Sequence, residues 1–440
     1  MKQRALTVIS PIKRDQVDSL RDLLNQIGDD IGGSQANQYI RFQDIPSLHF
    51  ARWVIIPAVE KKNYSPYLAM EANYDGELDD LLDAFIQNGA NGFDQIYGKC
   101  EGYPGAGTAN REQFKKYFRR HMIPYKAFYM AYTGRSVREI QNNTRLRQSI
   151  EGFLDEQGDS GALAGLSATE VRRRIQDFLR SSRGGALQTN PLKLSFAMRK
   201  IGLVVTLAVA LLALLPFPVF FLPLPLAARV LLFLTPLLLV GLFLLVLRMK
   251  EKKDAQMAVE FVDVPGDIFS RENHKVQNQL THLVEVKDGA FRLYTLKSVL
   301  WVINLAARLF WYKGSLGGIP TIHFARWVMI DNSRRLLFFS NFDGSWENYL
   351  GDFIDKAAVG LTAVWSNTKG FPKTEFLLFK GARDEERFKE WARAQQVPTQ
   401  IWYSAHPDET VRNILDNFTL RNQVEPALST EQTESWLRLL

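Results

Sequence analysis

A nine-residue phrase occurs twice in this chain, IPSLHFARW at 45–53 and IPTIHFARW at 319–327, with seven of nine positions identical. The copies flank the chain's one membrane-length apolar stretch. Such duplication constrains the fold before any local pattern does, because each copy must be built in the same way. In register from the phrase, Asn73-Tyr74-Asp75-Gly76 meets Asn341-Phe342-Asp343-Gly344. Gly92, Tyr97 and Pro104 meet Gly360, Trp365 and Pro372, and Val137-Arg138 meets Val411-Arg412. The tails 166–179 and 428–440 also correspond, each opening with a Ser-x-x-Glu/Gln capping box at Ser167 and Ser429. The expected organisation is repeat one over 1–155, a linker with an amphipathic helix over 156–195, a transmembrane hairpin over 196–250 and repeat two over 251–440.

Between Lys200 and Arg248 the only formal charge is Arg229. A run of that length suits two spanning helices of roughly 20 residues each. Pro216, Pro218, Pro223 and Pro225 interrupt it, and proline breaks a helix by removing a backbone donor. The expectation is a helix over 201–215, a turn over 216–226 and a helix over 227–248, with a shallow re-entrant hairpin as the alternative. Basic flanks (Lys193, Arg199 and Lys200; Arg248, Lys250, Lys252 and Lys253) place both ends, and so both termini, on the cytoplasmic side. The apolar run near the N-terminus is too short for a signal-peptide core. Cys100 is the single cysteine, so no intrachain disulfide can form. The net charge of +7 is spread along the chain without a basic stripe, which argues against nucleic acid and for a surface facing anionic lipid.

Each half reads as β-α-β-β-α-β. In the first half the expected elements are 6–12, 17–27, 49–56, 67–74, 77–86 and a strand near Asp94–Cys100. In the second half the last strand falls near Ala363–Ser366. A further helix, strand and helix follow in each. The fold class is therefore α+β: two tandem ferredoxin-like repeats. Helix 290–311 and segment 170–183 read as amphipathic, basic candidates for the bilayer surface, the second set against a simply solvated helix.

Two such modules in one chain resemble the dimeric α+β barrel superfamily, which includes dye-decolourising-peroxidase-like haem proteins, monooxygenases and proteins without catalytic activity. SNFDG at 340–344 is similar to the Gly-x-x-Asp-Gly signature of the peroxidases, departing at Ser340 and, in the first half, at Ala72. The resemblance implies a pseudo-twofold barrel with a site where the copies face each other, and a haem cofactor as one variant.

Strand alternation puts His49, Ala51 and Trp53 on one face and Phe50, Arg52 and Val54 on the other, so His and Arg cannot share a cavity without a bulge. His49 and His323 are candidate acid/base groups or ligands, set against hydrogen-bonded sheet histidines. Arg52 and Arg326 are candidate anion anchors, set against ion pairs to Asp75 and Asp343. Asp75 and Asp343 are candidate proton shuttles, and Asn73, Asn341, Trp53 and Trp327 candidate ligand-binding residues. Asn-x-Asp-Gly also suits a strand-to-helix turn. Two functions follow as expectations. One is a membrane-bound peroxidase- or oxygenase-like oxidoreductase acting on a lipid-like anion. The other is a non-enzymatic lipid-binding or scaffold protein. Neither requires a nucleic-acid or metal partner, and both leave homo-oligomer formation open.

Overall fold

The computed structural model describes residues 2–31, 38–104, 110–181, 223–257, 275–311 and 314–440. The first half contains β1 (Gln3–Pro11), α1 (Val17–Ile31), β2 (Leu48–Ile56), β3 (Tyr67–Asp75), α2 (Leu78–Tyr97), α3 (Arg111–His121), β4 (Tyr125–Met130), α4 (Val137–Asp159) and α5 (Ala168–Ser181). The long apolar helix α6 is Leu226–Lys253. The second half contains β5 (Gln277–Glu285), α7 (Ala290–Leu309), β6 (Ile322–Ile330), β7 (Arg335–Asp343), α8 (Trp346–Trp365), β8 (Thr374–Glu375), β9 (Phe379–Lys380), α9 (Glu385–Ala394), β10 (Ile401–Ser404), α10 (Val411–Asn422) and α11 (Thr430–Leu437).

Two antiparallel four-stranded sheets form, ordered β1-β3-β2-β10 and β4-β6-β7-β5. Each takes its edge strand from the other half: β10 pairs with β2, and β4 with β6. Just before its crossing, the chain at Met122 bridges Val8 of β1, and the chain at Gln396 bridges His282 of β5. The strands expected at Asp94–Cys100 and Ala363–Ser366 are corrected by this arrangement. Residues 94–97 and 363–365 end helices α2 and α8, where Phe93, Ile96 and Tyr97 bury one face at helical spacing. A short run of aromatic and β-branched residues reads alike as a strand or a buried helix end.

On their outer faces the sheets carry Ala51, Trp53 and Ile55 under α1 and α2, and Ala325, Trp327 and Met329 under α7 and α8. Helix α5 buries Ile175 and Leu179 against Trp436 and Leu420, so the apolar face of the described part of segment 170–183 packs on protein. The capping box at Ser429 and Gln432 is formed. Among the described residues α6 is the one helix long and apolar enough to cross a membrane. Its N-cap is Pro225. The arm expected at 201–215 lies outside the described residues.

Candidate functional site

The duplicated phrase lies in β2 and β6, between the two sheets. At Leu48/Phe50 and again at Ile322/Phe324 the pairing with the neighbouring strand slips by one residue. A bulge of this kind opposes two residues to one and re-aims a side chain. It brings His49 and His323 round to the side already holding Phe50, Arg52, Phe324 and Arg326. Trp53 and Trp327 stay on the opposite, helix-covered faces. Alternation alone could not show this, because it counts every residue as paired.

The space between the sheets is filled in layers. At one end Val54, Ile56, Val328, Ile330, Leu337 and Phe339 form an apolar layer. In the middle the arginines reach across to the opposite sheet. Arg52 donates to the carbonyls of Leu280 at 2.9 Å and Ser340 at 2.8 Å, and to Asn341 Oδ1 at 2.6 Å. Arg326 repeats this toward Leu6 at 2.7 Å, Ala72 at 3.0 Å and the Asn73 side-chain oxygen. So each HFARW is bound to the other half's Asn-x-Asp-Gly. The expected ion pairs with Asp75 and Asp343 are not formed; Glu71 serves both arginines, at 2.5 Å from Arg52 and 3.1 Å from Arg326. The register places Phe339 of β7 where β3 has Glu71, so the layer holds two guanidiniums and one carboxylate. Burial pulls both arginines down, Arg326 to about 10, while Glu71 acts against the shift.

The third layer holds the histidines. His49 Nε2 lies 3.1 Å from Asp75 Oδ1, and His323 Nε2 lies 2.6 Å from Asp343 Oδ1. The second oxygen of each aspartate accepts a helix N-terminal N–H, from Val137 at 2.9 Å and from Val411 at 2.8 Å. Each aspartate thus joins a strand end, a bulge and the first turn of α4 or α10. The glycines that follow need positive φ, 88° at Gly76 and 81° at Gly344. Tyr132 OH sits 3.0 Å from His323 Nδ1. Burial raises the Tyr132 phenol well above its ordinary range, so it stays protonated and donates. The Asp343 carboxylate, an acceptor, faces the His323 Nε2–H. His406 lies 5.9 Å from both rings, stacked on His323 and edge-on to His49, and burial, with those two rings, keeps it neutral. Tyr132, His406 and Glu71 were not singled out by sequence. The aligned segments AYTGRSVR and AHPDETVR hold the first two at equivalent positions, which was the available signal.

Every expected histidine, arginine, aspartate and asparagine therefore lies between the sheets and is buried. The haem that the resemblance implies does not fit these residues. Both imidazoles have Nε2 on a carboxylate, and Phe50, Phe324, Tyr132 and His406 occupy the space beside them. Among the described residues no group of three or more His, Cys, Asp or Glu is placed to hold a metal ion. Trp327 alone of the candidates lines an open cavity, of about 620 Å³, between α7, α8 and the loop before β6. Ile303, Trp311, Phe353 and Leu361 make its walls apolar, and its charged lining residues are Asp355, Arg383 and Lys356, the last also paired with Asp352.

One further histidine stands apart. His282 packs between Trp365 and Trp391 with neither ring nitrogen hydrogen-bonded, and burial lowers it from 6.5 to about 3. An unfolded histidine binds a proton near pH 6.5 and the folded one only near 3. Between those values the unfolded chain holds the extra proton, so stability falls as the pH drops, by up to about 1.4 kcal/mol per pH unit. His282→Leu should flatten the acid limb of a melting-temperature profile between pH 6.5 and 4. An unchanged slope would show that other groups govern it.

Comparison with protein-family models, with curated proteins and with solved structures finds no match.

Proposed function

We propose that the chain is a membrane-anchored lipid-binding module without a catalytic role for the duplicated phrase. In this reading two ferredoxin-like repeats close a pseudo-twofold barrel, held on the cytoplasmic face by a hairpin whose second arm is α6. Support for the barrel comes from the exchanged strands, each of which touches its own sheet before crossing to the other. Support for the orientation comes from the basic end of α6 at Lys250, Lys252 and Lys253.

The observation that carries the function is the cavity between α7 and α8. Its apolar walls suit an alkyl chain, and Lys356 and Arg383, which outnumber Asp355 in its lining, suit an acidic head. The other half gives an internal contrast. A Cβ on Gly92 of α2 would come within 2.8 Å of Ile40, whereas one on the corresponding Gly360 of α8 meets nothing within 4 Å. The groove that Ile40 fills in one half is open in the other. The ligand class is a lipid-like anion such as a fatty acid.

Gly360→Phe should fill the cavity without strain, since helix position 360 has room for a side chain. Mass spectrometry of ligands extracted from purified protein should find an acidic amphiphile on the wild type and roughly a tenfold lower load on the variant. Lys356→Glu with Arg383→Glu should lose the acidic ligand in the same way. Equal loads in wild type and Gly360→Phe would overturn the assignment.

A further inference from the structure

We infer that the outer stripe of α7 and the tip of the β8–β9 hairpin lie in the headgroup region of an anionic leaflet, beside α6. The inference rests on α6 crossing the membrane, as proposed above, and adds a surface that would fix the second half against the bilayer.

Three observations support it. The first is apolar exposure. On α7, Tyr294 is 65% exposed and Trp301 64%, with Val302 and, just past the helix end, Phe310 also exposed. On the hairpin Phe376, Leu378 and Phe379 face outward. The corresponding helix of the first half, α1, presents Asp18, Arg21, Asp22, Asn25 and Gln26 outward instead. Aromatic residues with one polar end favour the membrane–water boundary.

The second is the way α6 is rooted. Its Phe243 ring packs 5.4 Å from Phe291 in the first turn of α7. Phe243 lies five residues before Arg248, about 7 Å further up the helix at 1.5 Å per residue. The start of α7 therefore sits on the bilayer side of the basic end of α6. Lower down, Arg248 donates to Thr374 O at 3.0 Å and pairs with Glu375 at 3.0 Å. Glu251, buried, accepts the backbone N–H groups of Phe376 at 2.8 Å and Leu377 at 2.9 Å. Phe376 and Leu377 have φ of 53° and 63°, a conformation costly for such side chains. Two adjacent N–H groups aimed at one carboxylate hold that turn. The helix thus fixes a hairpin whose apolar tip points away from the protein core.

The third is charge. Lys250 lies over the Phe291 ring at 5.8 Å and Lys297 over Tyr294 at 5.5 Å, and Lys380, paired with Glu375 at 2.8 Å, stands beside the hairpin tip. Cations among interfacial aromatics match an anionic headgroup layer.

The test uses the full chain in nanodiscs containing phosphatidylglycerol, one copy per disc. The native Cys100 is buried, so an engineered cysteine carries the spin label. Labels go at Trp301→Cys, Phe379→Cys, Leu238→Cys on α6 and Glu112→Cys on α3. The oxygen-to-nickel-chelate accessibility ratio at 301 and 379 should exceed that at 112 by about threefold or more, and should drop in discs of neutral lipid. Aqueous values at 301 and 379 with a lipid value at 238 would overturn this surface and leave the anchor standing. Aqueous values at 238 as well would overturn the anchor too. Spin–spin broadening at 301 in discs loaded with two copies, with no lipid exposure in single-copy discs, would assign the face to a second chain and overturn the proposal.

Discussion

Glu71→Gln lowers the stability of this protein more than either single arginine substitution beside it. The native layer holds Arg52 and Arg326 around one carboxylate, all three fully enclosed between the sheets. Removing Arg326 leaves a balanced Arg52–Glu71 pair. Removing the Glu71 charge leaves two guanidiniums facing each other without a counter-ion. Breaking a buried pair from one side costs on the order of 3–5 kcal/mol, because the remaining charge stays buried and unpaired. That is a large share of a typical stability of roughly 5–15 kcal/mol. Thermal melting in detergent, followed by near-ultraviolet circular dichroism, should rank Glu71→Gln below Arg326→Met. The pair Glu71→Gln with Arg326→Met should be less costly than the two single effects added, since one charge is then removed with its partner. A Glu71→Gln effect no larger than that of the surface change Glu77→Gln would refute the account.

The second large effect is at Asp343. Its carboxylate accepts from the Val411 N–H at the start of α10 and lies against His323 Nε2. Asp343→Ala leaves the buried N–H without an acceptor and the imidazole without its carboxylate. A buried hydrogen bond to a charged group contributes about 1.5–3 kcal/mol, and a charge at a helix N-terminus about 0.3–1 kcal/mol more. Asp343→Asn should fall between wild type and alanine. Its amide oxygen can still accept from Val411, but its NH₂ meets the His323 N–H, donor against donor. Hydrogen exchange should show α10 losing protection in Asp343→Ala while α2 keeps it. Asp75→Ala should do the same to α4 through Val137. Unchanged protection of α10 would show that Ser-, Thr- and Asn-type capping suffices there; Thr410 already accepts from Asn413 N.

Much of the element order was legible. HFARWVII and YLAMEANY read as strands because β-branched and aromatic residues alternate there, and VDSLRDLLNQI reads as a helix because Leu20, Leu24 and Ile27 recur at its period. The ends of α2 and α8 did not read correctly, since their buried aromatics suit either structure. The candidate site was legible in identity and not in orientation. The repeated phrases named His, Arg, Asn and Asp, all of which meet between the sheets. The reading that set His against Arg failed at one residue in each half, where the bulge at His49 and at His323 turns the histidine inward.

What the chain determined by itself is local: the duplication, the type of most elements, the apolar stretch and the turn chemistry of Asn-x-Asp-Gly. Those follow from spacing, because helix and strand periods act over a few residues. The exchange of β4 and β10, the single carboxylate shared by two arginines, and the cavity left open at Gly360 but filled by Ile40 beside Gly92 were decided only by tertiary structure. Each depends on groups far apart in the chain, such as Arg52 and Asn341, which no periodicity relates. Burial supplies the selection: a guanidinium enclosed between sheets must find acceptors there, and each arginine finds carbonyls and an asparagine oxygen of the other half beside the shared Glu71.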